Sequence, residues 1–404
     1  MKVIKDSVLY VIGELISKSV PFLLLPYLTR RLGIDGFGEM SFYQTILALL
    51  VIVISLGQDG AVARYFYFYG ARSINLIVTV GALYSLVTTS LLFLSFSFFK
   101  STILSIIVLT AGFQSLFNTQ LSLRQCQKES VQYIVMQILV ALTSGGITFC
   151  LLEIYSHDLV EKRFIALLLS NIVCVFIAYL IYMRRRKYNH AFLFRRYYSA
   201  LLYLIGFGGP LILHQISGFL KGQLDRVLIY SRFSASDLGV YSAAFQIASV
   251  LLILIMALNK ALVPYYYSEL KKKHIVFDDI KKTCVFLFLL IPLPSIISLI
   301  IPANFWCFIL GNEFVDVKYY IAIFLLGIGF TIPYLLLVNY LFYYGKNKSI
   351  TICSVISTSI YCIVLYFLSC LGISYVPYSM LIANMLIVPL LYMAAKKTSM
   401  LERQ

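Results

Sequence analysis

Long apolar runs separated by short polar connections extend along the whole chain. Most runs reach the length of about 20 residues that a helix needs to cross a bilayer. None alternates apolar and polar positions with the period of two that a transmembrane β-strand requires. Because backbone groups in lipid must be satisfied within the segment, continuous apolar runs predict helices. We predict twelve spans, at residues 8–29, 38–58, 73–96, 102–123, 131–152, 164–183, 198–220, 239–262, 283–302, 318–340, 350–371 and 374–395.

Two longer apolar stretches have to be divided to give this number. Residues 350–395 contain no charged side chain over 46 positions. A single helix of that length would measure about 69 Å, roughly twice the hydrocarbon thickness. The stretch is therefore expected to fold back, with Gly372, Ser374 and Pro377 as turn residues. The other stretch, residues 74–123, is interrupted only by Lys100, and the same argument divides it there.

Composition and charge support an integral membrane protein. Of 404 residues, 61% are hydrophobic and 12% are charged, about half the charged share of a soluble domain. Placing both termini in the cytoplasm puts most of the 33 Lys and Arg residues on the inner side, as the positive-inside rule requires. Since the net charge of +16 is spread over many short loops, we expect no nucleic-acid partner. The eight cysteines show no metal-ligand spacing, so no metal site is expected.

A weak internal repeat relates two loops by a shift of 201 positions. Residues 29–46 read TRRLGIDGFGEMSFYQTI and residues 230–247 read YSRFSASDLGVYSAAFQI. In both loops a large apolar residue precedes a glycine, Gly38 or Gly239, and a serine follows three positions later. An even number of spans in each half gives both halves the same orientation. The pattern therefore predicts a parallel repeat about an axis along the membrane normal.

These observations predict an all-α integral membrane protein with twelve transmembrane helices, arranged as two six-helix lobes related by a parallel pseudo-repeat. The N-terminal lobe is predicted at 1–183 and the C-terminal lobe at 198–404. A basic cytoplasmic linker at 184–197 joins them. Two such lobes leave a cleft, and the first helix of each lobe is expected near its centre.

Charged residues occur in the first predicted span and toward the outer end of the seventh apolar run; near the midplane, where Lys18 is expected, a charge costs about 2.5–3.5 kcal/mol on insertion scales. Glu14 and Lys18 are four residues apart and share one helix face. Lys221 and Asp225 have the same spacing on the seventh span, and Arg226 follows them. Such faces predict the wall of a wet cavity. A structural ion pair inside the bundle is the alternative.

Several further residues bear on this cavity. Pro21 and Pro26 remove backbone donors and predict a bent first helix. His214, inside the seventh span, is either a core histidine or a proton carrier. Arg64 follows the second span, where snorkelling to the interface is the alternative to a functional role. The excess of cations predicts an anionic solute rather than a cationic drug.

Two segments carry a resemblance to a known family. The stretch PYLTRRLGIDGFGEMSFYQTILALLVIVISLGQDGAVARYFYF (26–68) contains Pro-x-x-Thr-Arg, Gly-x-x-x-Phe-Gly and Leu-Gly-x-Asp, with Arg-Tyr a few residues later. Asp225-Arg226, followed by Leu-Gly-x-Tyr-Ser at 238–242, is the second segment. Together they resemble the polysaccharide-flippase (O-antigen, Wzx-type) branch of the multidrug/oligosaccharidyl-lipid/polysaccharide exporter superfamily.

The resemblance implies a flippase and not an enzyme. Its cargo would be an undecaprenyl-diphosphate-linked oligosaccharide, a repeat unit of O-antigen (lipopolysaccharide) or capsule. The cargo would pass from the cytoplasmic to the periplasmic leaflet of the bacterial inner membrane by alternating access. We expect a monomeric transport unit without a cofactor, in contact with membrane lipids, a polysaccharide polymerase and a chain-length regulator; proton or sodium coupling stays open.

Two alternatives remain at this stage. A cation-coupled drug exporter of the same superfamily would need an acidic cavity, and a membrane polysaccharide polymerase would usually need a large outer loop. The predicted substrate-binding residues are Lys18, Lys221, Arg226, Arg30 and Arg64, and the predicted ion-coupling residues are Glu14, Asp225 and His214.

Overall fold

The computed structural model describes residues 13, 15–70, 73–185 and 194–403, which form helices and short connections without a strand. Residues 15–23 are helical ahead of the first long helix. The helices that follow are α1 (Leu25–Ser55), α2 (Gln58–Tyr69), α3 (Ile74–Phe98), α4 (Thr102–Cys126), α5 (Ser130–Ile154), α6 (Leu159–Arg185), α7 (Phe194–Arg232), α8 (Ala235–Lys271), α9 (Phe277–Leu290), α10 (Pro292–Ile300), α11 (Ala303–Leu310), α12 (Val317–Gly329), α13 (Thr331–Tyr343), α14 (Asn347–Leu371) and α15 (Tyr378–Arg403). The predicted all-α class is confirmed.

The number of spans agrees with the prediction. Among the described residues, eleven segments are long and apolar enough to cross a membrane. The first of them, Leu25–Tyr69, has 45 residues and is interrupted at Gly33, whose φ is 69° and ψ 179°. It therefore contains the end of the first predicted span and all of the second. Residues 15–23 supply the preceding part of the first span.

Both divisions of the long apolar stretches are confirmed. Lys100, with a φ of 55°, separates α3 from α4. Gly372 has a φ of 135° and begins a short 3₁₀ turn, Ile373–Tyr375, which separates α14 from α15. Such positive φ values end helices, because a continuing helix needs the right-handed region.

The helix that contains the seventh predicted span extends beyond that span. Its expected end was residue 220, because charged residues follow, but α7 continues to Arg232. The charges are tolerated because Asp225 and Arg226 are both buried and lie 3.6 Å apart as an ion pair. Paired charges inside protein are compatible with a continuing helix.

The helices form two compact units. Unit 1 comprises Met1–Leu24 and Phe42–Phe219, and unit 2 comprises Leu25–Ser41 and Leu220–Gln404. The chain thus passes between the units within the first and seventh predicted spans and again after Ser41. The lobes drawn from the sequence follow the order of spans, and their boundaries stay a prediction.

Unit 1 contains a break in the second span that is held by a buried amide. Leu56 and Gly57, with φ of 49° and 60°, separate α1 from α2. The Gln58 amide nitrogen donates to Ser85 Oγ of α3 at 2.8 Å, and Thr119 Oγ1 of α4 donates to Gln58 Oε1 at 3.1 Å. The Gln58 side chain therefore joins the broken span to two neighbouring helices.

In unit 2 each of the two glycines of the sequence repeat packs against the backbone of the segment that contains the other glycine. A Cβ atom on Gly38 would lie 1.8 Å from the Ala235 carbonyl oxygen, and one on Gly239 would lie 2.2 Å from the Ile34 carbonyl oxygen. Ile34 and Ala235 are related by the same shift of 201 positions as the glycines. The two contacts are therefore one contact made reciprocally, and neither has room for a side chain.

This contact gives a first prediction. Gly38→Ala and Gly239→Ala are each expected to destabilise the protein, since overpacking of a close contact costs about 1–3 kcal/mol. Thermal unfolding of the purified protein in detergent measures the effect. Gly209→Ala is the control, because a Cβ atom there meets nothing within 4 Å. Equal unfolding temperatures for all three variants would contradict the close backbone approach.

Candidate functional site

A pocket of about 470 Å³ lies within unit 1, between α2 and α7. Its lining includes Arg64 and Tyr69 from α2 and Tyr203, Phe207 and His214 from α7. No Asp or Glu is among the residues that line it. The structure therefore brings together two predicted site residues, Arg64 and His214, for which the sequence indicated separate roles.

The register of α7 explains why these side chains face one space. Tyr203, Phe207 and His214 recur at spacings of four and seven residues, which place them on one face of a helix. Gly208 lies off this face, and a Cβ atom there would be 2.0 Å from the carbonyl oxygen of Leu56. The missing side chain lets α7 pack directly against the break between α1 and α2, which fixes the pocket wall.

The Arg64 guanidinium is held by aromatic rings. Its Cζ lies 5.1 Å from the ring centroid of Phe207 and 5.9 Å from that of Phe68. Within the described ranges, no hydrogen-bond acceptor or carboxylate engages its N–H groups. The rings contact the guanidinium without using its N–H groups, so these groups are available to an anion, to which a guanidinium can donate two parallel hydrogen bonds.

A cluster of aromatic rings forms the wall beside Arg64. The Tyr203 and Phe207 rings are parallel within 5°, with centroids 6.2 Å apart. Tyr203 also makes an edge contact with Tyr69 at 6.0 Å. Its hydroxyl donates to the Ala61 carbonyl oxygen at 3.2 Å. These contacts fix the orientation of the Tyr203 ring.

In unit 2, Asp225 and Arg226 satisfy one another and their neighbours. Arg226 Nη1 donates to Gln223 Oε1 at 2.9 Å, and its Cζ lies 4.7 Å from the Phe245 ring centroid. The Asp225 carboxylate accepts from the Arg226 backbone N–H at 2.9 Å and from the Tyr241 hydroxyl. Both side chains are therefore held inside unit 2, and their roles in substrate binding and coupling stay predictions.

Lys221 is partnered differently from these two. Its ammonium donates to Ser357 Oγ at 3.0 Å, and the Ser357 hydroxyl donates to the Ala383 carbonyl oxygen at 3.0 Å. Asp225, four residues along α7, pairs with Arg226 instead. Across the part of the chain that the structure describes, Lys221 has no carboxylate within 4 Å. It carries an uncompensated positive charge within a membrane span.

The remaining predicted residues lie elsewhere. Arg30 belongs to unit 2, where its guanidinium donates to the Phe308 carbonyl oxygen and lies 5.9 Å from the Phe308 ring. Lys18 is exposed on the helical residues 15–23. Glu14 lies outside the described residues. The functional roles of all three stay predictions.

The sequence did not single out the aromatic wall of the pocket. Tyr203 and Phe207 lie within the seventh predicted span, where hydropathy does not distinguish them from the other apolar positions. Their spacing of four residues, with Gly206 beside them and His214 one further step along the same face, is the signal that indicates a lined cavity rather than a lipid-facing surface.

The chain is similar to known proteins over nearly its whole length. Residues 3–270 match the model of the family described as "Polysaccharide biosynthesis protein". The "Lsg locus putative protein 1" of Haemophilus influenzae is 51% identical over 399 residues, which cover 99% of each chain. An "Uncharacterized membrane protein" of the same organism is 47% identical over 397 residues, which cover 98% of each chain.

Solved structures establish the fold. A MATE transporter in complex with MaD5 superposes with a TM-score of 0.64 at 16% identity, covering 99% of this chain and 97% of that chain. A MOP-superfamily transporter from Pyrococcus furiosus, described as having a binding pocket of reverse polarity that suggests a different function, gives a TM-score of 0.62 at 16% identity over 99% and 97% of the two chains. The chain therefore belongs to the polysaccharide biosynthesis protein family, and it has the fold of the MOP-superfamily transporters.

Proposed function

We propose that this protein is a flippase for an undecaprenyl-diphosphate-linked oligosaccharide, a repeat unit of O-antigen or capsule. It moves this unit from the cytoplasmic to the periplasmic leaflet of the bacterial inner membrane by alternating access, with both termini in the cytoplasm. Membership of the polysaccharide biosynthesis family supports a role in this pathway. The observation that carries the proposal is the uncompensated charge of Lys221.

The energetic argument concerns the counter-charge of Lys221. A lysine within a membrane helix costs up to about 2.5–3.5 kcal/mol on insertion scales, the upper value applying at its centre, and one hydrogen bond to Ser357 offsets only part of such a cost. A diphosphate supplies the missing negative charge during transport. The cargo cannot cross lipid unaided for the same reason, because its own charge is costly there.

The polarity of the unit 1 pocket supports the same class of cargo. Arg64 lines the pocket and no carboxylate does. The N–H groups of Arg64 face no acceptor among the described residues. A cationic drug would be repelled by this charge. For the transporter from P. furiosus, reverse polarity of the binding pocket has been taken to suggest a different function. We apply the same reasoning to the cationic sites of this chain.

Coupling and assembly complete the proposal. Asp225 is a suitable coupling carboxylate, because its protonation would weaken both its pairing with Arg226 and the hydrogen bond from Tyr241. Glu14 and His214 are the other coupling groups that we propose, for a proton or sodium ion. We expect a monomeric transport unit that delivers its cargo to a polysaccharide polymerase and a chain-length regulator.

A strain that lacks this protein tests the function. We expect lipid-linked repeat units to accumulate on the cytoplasmic face and surface polysaccharide to be lost, since the charged head group cannot cross the bilayer. Extraction and chromatography of undecaprenyl-linked sugars measure the accumulation, and restoring the wild-type gene is the control. Normal surface polysaccharide together with sensitivity to cationic dyes would contradict the flippase and favour the drug exporter.

Lys221→Met is expected to separate stability from transport. Removing the uncompensated charge should stabilise the protein by about 1–3 kcal/mol, given the cost of a lysine on insertion scales. Transport of the lipid-linked unit in reconstituted vesicles should fall at least about tenfold, which corresponds to losing one charge-assisted contact of about 1.4 kcal/mol or more. Thermal unfolding and a vesicle transport assay measure the two effects.

Lys272→Met is the matched control for this variant. Lys272 pairs with Glu269 at 2.9 Å and its side chain is 55% exposed, so neither stability nor transport should change appreciably. Full transport by Lys221→Met would remove Lys221 from the site, whatever its effect on stability.

A further inference from the structure

We propose that the pocket between α2 and α7 of unit 1 binds a sugar ring together with the phosphate attached to it. Arg64 takes the phosphate, and the wall of Tyr69, Tyr203 and Phe207 takes the sugar. The inference rests on the proposed function, because it identifies the part of the lipid-linked cargo that this pocket holds. The positive-inside prediction places the pocket toward the cytoplasmic face, where such a cargo would first be met.

The size of the pocket suits a ligand of this kind. Its volume of about 470 Å³ lies within the range of about 300–1,000 Å³ that small-molecule sites occupy. Gly206 keeps the space open, because a Cβ atom on it would meet nothing within 4 Å. The Arg64 guanidinium lies over the Phe207 ring, and His214 lies seven residues further along α7, about 10 Å in helical rise. The two groups therefore lie at different depths of the pocket along α7.

The charge of the pocket determines which part of the cargo binds at Arg64. The lining holds the permanent cation of Arg64 and no carboxylate. Because the guanidinium lies over the Phe207 ring and its N–H groups meet no acceptor among the described residues, these groups can donate two parallel hydrogen bonds to phosphate oxygens. A purely apolar occupant, such as a lipid tail, would leave this cation without a counter-ion.

The wall beside Arg64 determines what accompanies the phosphate. Aromatic faces carry negative partial charge and attract the positively polarised C–H groups of a sugar ring. Tyr203 is fixed by its hydrogen bond to the Ala61 carbonyl oxygen, so its ring is positioned before the ligand arrives. His214 lies where it can meet the sugar hydroxyl groups at the far end.

Binding to the purified full-length protein, measured by isothermal titration calorimetry, tests the inference. The probes are farnesyl-diphosphate-linked N-acetylglucosamine, farnesyl diphosphate without sugar, and a short-chain phosphatidylglycerol. The phosphatidylglycerol probe shows whether an ordinary lipid head group supplies the phosphate. We expect the sugar-bearing probe to bind about tenfold or more tightly than either of the others, since stacking and hydroxyl contacts add about 1.4 kcal/mol or more.

Three variants locate the binding. Arg64→Gln should weaken both diphosphate probes about tenfold through the loss of charge-assisted hydrogen bonds, and Arg64→Lys should restore part of this loss. Gly206→Leu should weaken the sugar-bearing probe most, because it fills the pocket. Gly209→Leu is the matched control: it lies three residues away in the same helix, its Cβ position is equally open, and it does not line the pocket.

The outcomes separate this inference from the proposed function. Equal affinities for Gly206→Leu and Gly209→Leu, or equal affinities for all three probes, would overturn the inference even if the wild-type protein transports lipid-linked sugars. Tight binding that depends on Arg64 and Gly206, without transport in vesicles, would support the inference and contradict the flippase.

Discussion

The structure depends on the requirement that polar groups within lipid find their partners inside the chain. Gln58 meets this requirement at the break between α1 and α2 by bonding to Ser85 and Thr119. Asp225 and Arg226 meet it as a buried ion pair. These groups permit a broken helix and a charged helix to persist in a membrane span. They need no ligand, so their presence alone indicates architecture rather than cargo.

The two cations on which the proposed function rests have no negatively charged partner among the described residues. Lys221 has the Ser357 hydroxyl but no carboxylate among its described neighbours, and the N–H groups of Arg64 have aromatic rings but no acceptor. Under the proposed function, an anionic cargo supplies the negative charge that each of them lacks. In our proposal, the ligand rather than the fold explains why Lys221, a charge without a carboxylate partner, is retained in a helix that can cross a membrane.

The sequence predicted the spans well and the site only in part. Helix limits follow from apolar length, a local property, and the turns at Lys100 and Gly372 followed from it. The predicted seventh span ends at residue 220 while α7 continues to Arg232, because the pairing of Asp225 and Arg226 depends on packing. The pocket was missed for a related reason: Tyr203 looks like any lipid-facing aromatic until α2 is placed beside it. Whether a charged side chain has a partner depends on tertiary packing, which hydropathy does not predict.

The internal repeat accounts for the scaffold but not for the charges. A shift of 201 positions maps Gly38 onto Gly239, and the two make one reciprocal backbone contact. The same shift maps Lys221 onto Val20 and Arg64 onto Tyr265, so neither cation is repeated. A symmetric close contact requires a glycine in both repeats, because each glycine leaves room for the backbone of the other segment. The cargo that we propose, a lipid-linked oligosaccharide, has one charged end, one sugar chain and one lipid, so it does not itself have the symmetry of the repeat. The positions of Lys221 and Arg64, which the repeat does not relate, therefore fit an asymmetric cargo whose charged end meets each cation at a different place in the chain.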